Sequence, residues 1–371
     1  MSIILTLTLF CFVCGNVYIY MRSLQTMRSL HIIVKAIYTL LFWLCALSLF
    51  IVLSLRHSDL PDFIPRTMYT IGSVWLVFVL YMTVILFIFD AIKRFFVPNM
   101  RRGFIYSLLL TITISTCGYI NYLHPDVNHI DIAIDKPIAG DSMRIVGISD
   151  LHLGYGTGKK RLSRFVEMIN AEKPDVILIA GDLIDNSIKP LYEQRMYEEL
   201  NMLQATMGIY MSPGNHEYIT GIEDCKEFLS KTPIKMLIDS MVELPNGVQI
   251  VLRDDPANVV RPPAWYVLKK NKTDMERPVI IADHHPYGIA EKDTLGIDLQ
   301  FSGHTHNGQI WPGNIVTSFL YEQSNGYRKW KHSHVYVSSG LSLWGPPFRI
   351  GTDSDMVVFN IYSTKQKNNR E

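Results

Sequence analysis

The chain has 371 residues, 48% of them hydrophobic and 19% charged, with a formal net charge of +1. That balance excludes a disordered or collagen-like polymer and leaves room for one large or two ordinary domains. The first 123 residues hold 9 Lys and Arg against 3 Asp and Glu, the rest hold 26 against 31, and the two parts carry +6 and −5. A mildly acidic second part lacks the clustered basic groups that sequence-independent nucleic-acid binding requires, so no nucleic-acid partner is expected.

Four of the five cysteines, Cys11, Cys14, Cys45 and Cys117, lie in apolar stretches. Only Cys225 lies in the polar part, which therefore has no internal disulfide, and cysteine usage leaves the compartment open.

In chain order, apolar runs occupy Ser2 to Met21, Ala36 to Leu55, Met68 to Phe89 and Phe104 to Leu123. Each is about 20 residues, the length a helix needs to cross hydrocarbon, and residues 1–123 are read as a four-helix transmembrane anchor. The first run is read as a span rather than a signal peptide, because it lacks a basic n-region and a small-residue cleavage site, and Val13 before Cys14 argues against a lipoprotein site.

Orientation is read from the short connections. Arg22, Arg28 and Lys35 follow the first run, and Lys93, Arg94, Arg101 and Arg102 follow the third. These segments are expected to face the cytoplasm. Arg56 and Arg66 in the middle connection are offset by Asp59 and Asp62, and the residues after Leu123 are poor in basic groups. The polar part is therefore expected on the extracytoplasmic side of the cell membrane. Lys35 and Asp90 sit at helix ends rather than at mid-depth, which favours an anchor over a transporter. Trp43 and Trp75 are read as lipid-facing or packing residues.

Residues 124–140 read as a linker, 141–363 as the second domain and 364–371 as a polar tail. From Asp141 onward short apolar runs alternate with helical patterns, the signature of a layered α/β domain. The runs are Met143 to Ile148, Val176 to Ala180, Gly208 to Met211, Val279 to Ala282 and Ile297 to Phe301. Lys160 to Ala171 and Leu191 to Ala205 read as amphipathic helices, with Leu162, Phe165, Val166 and Ile169 at helical spacing in the first.

Each run is followed at once by a polar cluster: Ser149-Asp150-Leu151-His152, Gly181-Asp182-Leu183-Ile184-Asp185, Gly214-Asn215-His216-Glu217, Asp283-His284-His285-Pro286 and Gly303-His304-Thr305-His306. In open α/β sheets ligands bind beyond the carboxyl ends of the strands, so five such clusters converge on one crevice. Each cluster alone is a weak signal, since a lone His at a strand end is more often a packing or surface residue. Five of them in order are a strong one. His31, His57, His124, His129, His332 and His334 are read as structural, and His284 and His285 remain alternatives on residue type alone.

Carboxylate, imidazole and amide oxygen together suit borderline divalent metals such as Mn, Fe or Zn, with Mn the expected activating ion in vitro. Six or seven ligands suggest two ions. Such a pair lowers the pKa of bound water to about 7 and clamps the attacking and leaving oxygens of an in-line displacement, which fits phosphoester hydrolysis by attack of a metal-bound hydroxide. A departing alkoxide needs a proton, and His216 is the candidate general acid. Asp185 is expected to hold its ring and raise its pKa.

The clusters, in this order, resemble the calcineurin-like metallophosphoesterase superfamily, whose pattern is Asp-x-His, Gly-Asp-x-x-Asp, Gly-Asn-His-(Glu/Asp), His and Gly-His-x-His. The resemblance covers about residues 141 to 362 and is greatest to the membrane-associated branch typified by the phosphodiesterases YaeI and YkuE. Gly303 to Gln309 and the stretch from Ser339-Gly340 to Pro346-Pro347-Phe348-Arg349 have counterparts there, although Asn307 stands where the family has Gly. The resemblance implies a four-layer αββα sandwich. It also implies a first metal on Asp150, His152, Asp182 and His306, a second on Asp182, Asn215, His284 and His304, and His216 beside the scissile phosphate. Asn186 stands where the family's protein phosphatases carry Arg, which argues against that activity.

The reading is a membrane-anchored phosphoesterase acting on phosphodiester or pyrophosphate bonds, with a lipid-linked or amphipathic substrate. Trp311, Trp344, Pro346, Pro347 and Phe348 are read as an apolar entrance or as packing, and Arg349 as a phosphate clamp or a surface ion pair. One alternative is a pyrophosphohydrolase of the UDP-2,3-diacylglucosamine type in lipid A synthesis, which requires a cytoplasmic domain. Another is a membrane-tethered, metal-dependent binding or sensing protein with incidental turnover.

Overall fold

The structure is a computed structural model that describes residues 3–54, 60–61, 63–96 and 102–365. Arg56, His57, Asp59, Asp62, Arg101 and most of the expected polar tail lie outside the described residues. The chain forms two compact units, Met1–Asn121 with Gly345–Ile350, and Tyr122–Trp344 with Gly351–Glu371.

The first unit consists of α1 (Ile3–Thr26), α2 (Ile32–Ser54), α3 (Phe63–Phe95) and α4 (Gly103–Tyr122). All four are long and apolar enough to cross a bilayer. Helix α3 extends past both ends of the run Met68 to Phe89, because Arg66, Lys93 and Arg94 are good helix formers that continue the hydrogen-bonded ladder beyond the apolar stretch. Ile19, Phe42, Val79, Met82 and Leu86 form the packed centre of the unit. Asn16, buried within α1, accepts a 2.9 Å hydrogen bond from the Trp75 indole and donates to the Phe12 carbonyl, which satisfies its amide away from water. Asp90 is paired with Arg22 at 2.6 Å and accepts a hydrogen bond from the Tyr18 hydroxyl.

The segment Gly345–Ile350 joins this unit. Its Gly345 N–H donates to the Tyr69 hydroxyl, its Arg349 N–H donates to the Gly118 carbonyl, and Phe348 packs edge-on to Tyr119. Phe348 is thus an anchor packing residue rather than a site entrance. The surface ion-pair reading of Arg349 is corrected too, since its side chain is fully buried.

The second unit is built on twelve strands: β1 (Asp126–Ile134), β2 (Ser142–Ile148), β3 (Val176–Ala180), β4 (Gly208–Ser212), β5 (Ile234–Met236), β6 (Ser240–Glu243), β7 (Gln249–Leu252), β8 (Val279–Ala282), β9 (Leu299–Ser302), β10 (Gly326–Lys329), β11 (His334–Val337) and β12 (Asp355–Ser363). They form two six-stranded sheets, ordered β1-β12-β2-β3-β4-β5 and β10-β11-β9-β8-β7-β6. Residues 124–140 are therefore not a plain linker. They contain β1, an edge strand that pairs in parallel with β12 from Asp126 opposite Asp355 to Ile134 opposite Ser363.

Strand alternation builds the layers. Val176, Leu178 and Ala180 of β3 face inward with Val357 and Phe359 of β12, and meet Ile250, Leu252, Ile280, Ala282 and Phe301 of the other sheet. On the opposite face of the first sheet, Ile177 and Ile179 pack with Leu162, Phe165, Val166 and Ile169 of helix α5 (Lys159–Ala171). On the outer face of the second sheet, Val279 and Ile281 pack under Val267 and Leu268 of the helix Ala264–Lys270. The result is the four-layer αββα sandwich. Strands β3 and β8 are buried throughout and read as continuous apolar runs, and β9 is buried too although Gln300 and Ser302 interrupt its apolar residues.

The helix expected over Leu191 to Ala205 is broken into Lys189–Glu193 and Tyr197–Leu200. Arg195 takes a left-handed φ of 52°, and the Met196 N–H turns back to the Leu191 carbonyl, so one continuous ladder cannot form.

Candidate metal centre

The parallel strands β2, β3, β4, β8 and β9 all end at one side of the sandwich, and the five polar clusters follow them directly. Asp150, His152, Asp182, His304 and His306 carry φ values of 55°, 45°, 52°, 69° and 49°. Left-handed backbone at non-glycine residues is costly, and it persists where a surrounding structure imposes it, as at functional sites. Here the strand-end loops are tied to one another: the Asp150 N–H donates to the Gly181 carbonyl, the His152 N–H to the Asp182 carbonyl and the Gly303 N–H to the His284 carbonyl.

Glycines permit the close approach of these loops. A Cβ on Gly214 would stand 2.2 Å from Asp182 Oδ1, and one on Gly303 would stand 2.4 Å from Asp150 Oδ2.

All nine residues singled out in the sequence come together. His152 Nε2 lies 3.2 Å from His306 Nε2, and His306 Nε2 lies 3.4 Å from Asp150 Oδ1. Asp182 Oδ2 is 3.2 Å from His284 Nε2 and 3.8 Å from His152 Nε2, so it faces both groups. Asn215 Oδ1 lies 2.9 Å from His304 Nδ1 and 3.2 Å from His284 Nε2. The His284 Nδ1–H donates to the Ala180 carbonyl at 2.7 Å, which fixes its tautomer and turns Nε2 toward Asp182 and Asn215.

The same geometry decides whether metal ions fit. Lone pairs from Asp150, Asp182, Asn215 and four imidazoles crowd into a buried space, and such crowding is relieved by a cation. Burial disfavours imidazolium at His152, yet Asp150 and Asp185 hold that ring up at about 10. Burial would raise Asp182, but the neighbouring His284 holds it well below the usual carboxylate range. His304 is pushed down to about 2 by burial and by the adjacent His284 and His285, so its ring is a neutral donor. The donor set fits divalent metals of the borderline class.

His216, at the start of the helix Asn215–Thr220, places Nδ1 3.2 Å from Asp185 Oδ1 and 3.1 Å from the Asp185 carbonyl. Its backbone N–H donates to Asp182 Oδ1 at 2.8 Å. Burial opposes protonation of the ring, but Asp185 and then Asp182 outweigh it and the pKa lies above the ordinary value. With Nδ1 committed to Asp185, Nε2 is the nitrogen left for a substrate.

Two partners were not assigned roles from sequence. Glu217, fully buried, accepts from the N–H groups of Asp182, Ile184 and Gly214. It stands three residues after Gly214 and takes that residue's N–H, the glutamate half of a capping box, and this spacing is visible in the sequence. Asp255 accepts from His285 Nδ1 at 2.7 Å, and the His285 ring lies against His304 with centroids 3.5 Å apart. This separates the adjacent pair: His284 faces Asp182, and His285 supports the ring of His304. Nothing in the local sequence signals Asp255, because its partner is thirty residues away along the chain.

The chain matches the family model of the calcineurin-like phosphoesterases over residues 143–308. It is 30% identical over 298 residues to an uncharacterized metallophosphoesterase of Helicobacter pylori, covering 76% of this chain and 77% of that one. It is 27% identical over 375 residues to an uncharacterized metallophosphoesterase of Campylobacter jejuni, covering 97% and 98%. A transmembrane protein with a metallophosphoesterase domain from Danio rerio is 32% identical over 271 residues, 69% of this chain and 62% of that protein. The sandwich with its strand-end Asp, Asn and His residues is that of a metal-dependent phosphoric ester hydrolase. The chain belongs to the calcineurin-like metallophosphoesterase family.

Proposed function

We propose that the protein is a membrane-anchored, dinuclear-metal phosphodiesterase that hydrolyses phosphodiester or pyrophosphate bonds of lipid-linked or amphipathic substrates. The observation that carries the reading is Asp182, whose Oδ2 lies 3.2 Å from His284 Nε2 and 3.8 Å from His152 Nε2. Asp150, His152, Asp182 and His306 would hold one ion, and Asp182, Asn215, His284 and His304 the other. When bound, the ions activate water and neutralise charge on the phosphoryl oxygens.

The remaining work falls to the chain. Asp185 keeps His216 Nδ1 protonated and oriented, and His216 Nε2 delivers a proton to the departing oxygen. Asp255 and His285 hold the ring of His304 in place. Hydrophobic spans attach this chemistry to a bilayer, which supports an amphipathic substrate. The basic residues Arg22, Arg28, Lys35, Lys93, Arg94 and Arg102 in the first and third connections support an extracytoplasmic catalytic unit.

The test is hydrolysis of bis-p-nitrophenyl phosphate by the full chain with Mn, compared with His216→Ala and Asp182→Asn. Loss in Asp182→Asn and a smaller loss in His216→Ala, because p-nitrophenolate is a good leaving group, are the expected results, and equal rates in all three remove the enzymatic reading. A reporter active only in the cytoplasm, fused after residue 371, tests orientation: strong signal overturns the extracytoplasmic placement.

A further inference from the structure

The helix Gly313–Leu320 buries none of its side chains. Ile315 and Val316 are half exposed, Leu320 is 64% exposed and Phe319 is 85% exposed, with the Trp311 indole half exposed just before them. No charged residue occurs from Asn307 through Tyr321. A contiguous apolar surface of this kind on a folded unit marks an interaction site.

The segment is held firmly while its apolar side chains stay open. At its start Gly308 and Gly313 pack so closely that a Cβ on Gly308 would stand 2.0 Å from the Gly313 carbonyl carbon. At its end Tyr321 stacks on Tyr287 at 5.5 Å, and Tyr287 stacks on His285 at 5.1 Å. The Thr305 hydroxyl donates to the Ser324 carbonyl at 2.6 Å. Through these contacts the helix is fixed to the loop that carries His304 and His306. A second exposed pair, Val259 and Val260, adjoins Arg261, whose guanidinium is bonded to Asp283 beside His284.

We infer that the helix Gly313–Leu320 is a bilayer-contacting element that seats its apolar side chains among lipid acyl chains next to the metal-centre loop. The occupant follows from the chain itself. Helix α4 ends at Tyr122 and β1 begins at Asp126, with only Leu123, His124 and Pro125 between. Four Cα steps reach at most about 14 Å, so the catalytic unit begins within that distance of the end of a membrane span. A charge-free helix with bulky aliphatic and aromatic side chains and a Trp at its margin matches the interfacial region of a bilayer. It lacks the basic polar face of helices drawn to anionic lipid, so acyl contact rather than headgroup charge is the source of binding. The inference goes beyond the functional reading and stands independently of whether the site turns over a substrate.

The test places the photoreactive residue p-benzoylphenylalanine at Phe319, and in parallel at Val316, in the full chain reconstituted into phosphatidylethanolamine and phosphatidylglycerol vesicles. Glu167, exposed on α5, is the reference position. Lipid adducts on the peptide carrying position 319 or 316, and their loss at 167, are the expected result. Reading two positions keeps the experiment decisive if one substitution impairs folding. Absence of lipid adducts at both, or crosslinks to a second copy of the chain in their place, overturns the inference. Hydrolysis of bis-p-nitrophenyl phosphate is read in the same samples. Adducts without hydrolysis remove the functional reading alone, and hydrolysis without adducts removes the bilayer contact alone.

Discussion

The buried carboxylate of Glu217 accepts a 2.9 Å hydrogen bond from the backbone N–H of Asp182, whose own carboxylate lies between His284 and His152 in the candidate metal centre. The same carboxylate takes the N–H groups of Gly214 at 2.7 Å and Ile184 at 3.0 Å, so one side chain ties together the loops after β3 and β4. Burial and the nearby Asp182 push its pKa up to about 7, which shows how much those three donors must compensate.

Glu217→Ala is expected to leave three buried donors unsatisfied. At about 1–3 kcal/mol for each, thermal stability falls clearly. Metal affinity is expected to fall about 10–100-fold, as when a residue supporting a ligand is lost. Thermal denaturation with and without Mn, and calorimetric Mn titration, check both. A variant with unchanged Mn affinity would show that Glu217 serves the fold alone.

His216→Ala is expected to lower kcat by about 10²–10⁴-fold, with KM little changed. The loss should grow with the basicity of the leaving alcohol, because p-nitrophenolate departs with little help and an alkoxide does not. Asp185→Asn keeps the shape but removes the charge beside Nδ1, and it should reproduce the same leaving-group trend at a smaller loss. A loss independent of leaving group in both variants would assign His216 to substrate binding.

The motif residues were legible because of how parallel strands are buried. β3, β8 and β9 are buried throughout and β2 and β4 over most of their length, all five read as short, mostly apolar runs, and each ends just before one of the polar clusters. β1 was hidden for the opposite reason. Its sequence Asp126–Ile134 is an edge strand with polar residues on its open face, and its partner β12 lies at the far end of the chain. The same distance hid the role of Asp255 and the bonds of Glu217 to Asp182 and Ile184, whose partners are brought together by folding and not by neighbouring residues. Phe348 and Arg349 looked like site residues because they follow a family-like stretch, yet the Phe348 ring packs on Tyr119 and the Arg349 N–H bonds to Gly118, both in the helical unit.

Gly214→Ala and Gly303→Ala are each expected to abolish hydrolysis. The added methyl would press on Asp182 Oδ1 in one case and on Asp150 Oδ2 in the other, and neither neighbour is a flexible side-chain end with room to retreat. Metal content after purification should fall while secondary structure, read by circular dichroism, is retained. Normal metal content in Gly214→Ala would mean that the Asp182 loop relaxes without cost.

Chelation is expected to remove activity and stability together. The crowded lone pairs of Asp150, Asp182, Asn215 and the imidazoles repel once the cations leave. Readdition of Mn at about 100 times its dissociation constant should restore about 2.7 kcal/mol. The thermal midpoint before and after EDTA dialysis, with and without Mn, measures this. An unchanged midpoint would show that protons on His152 and its neighbours replace the ions without loss.

The last prediction concerns a histidine away from the metal centre. His334, buried in β11, places Nδ1 2.7 Å from the Tyr327 hydroxyl, which donates to the neutral ring. Burial, and then the positive charge of Lys329, push its pKa down to about 4. The unfolded chain takes up a proton there at about pH 6.5. The native state therefore binds the proton later than the unfolded state, and stability is lost as pH falls from about 6.5 toward 4, to a ceiling of about 3 kcal/mol. His334→Gln removes the titration, so the drop in thermal midpoint between pH 7 and pH 4.5 should be smaller in the variant than in the parent chain. Equal drops would mean that the ring gains its proton in the native state as readily as in water, and that the hydroxyl of Tyr327 turns to accept instead of donate.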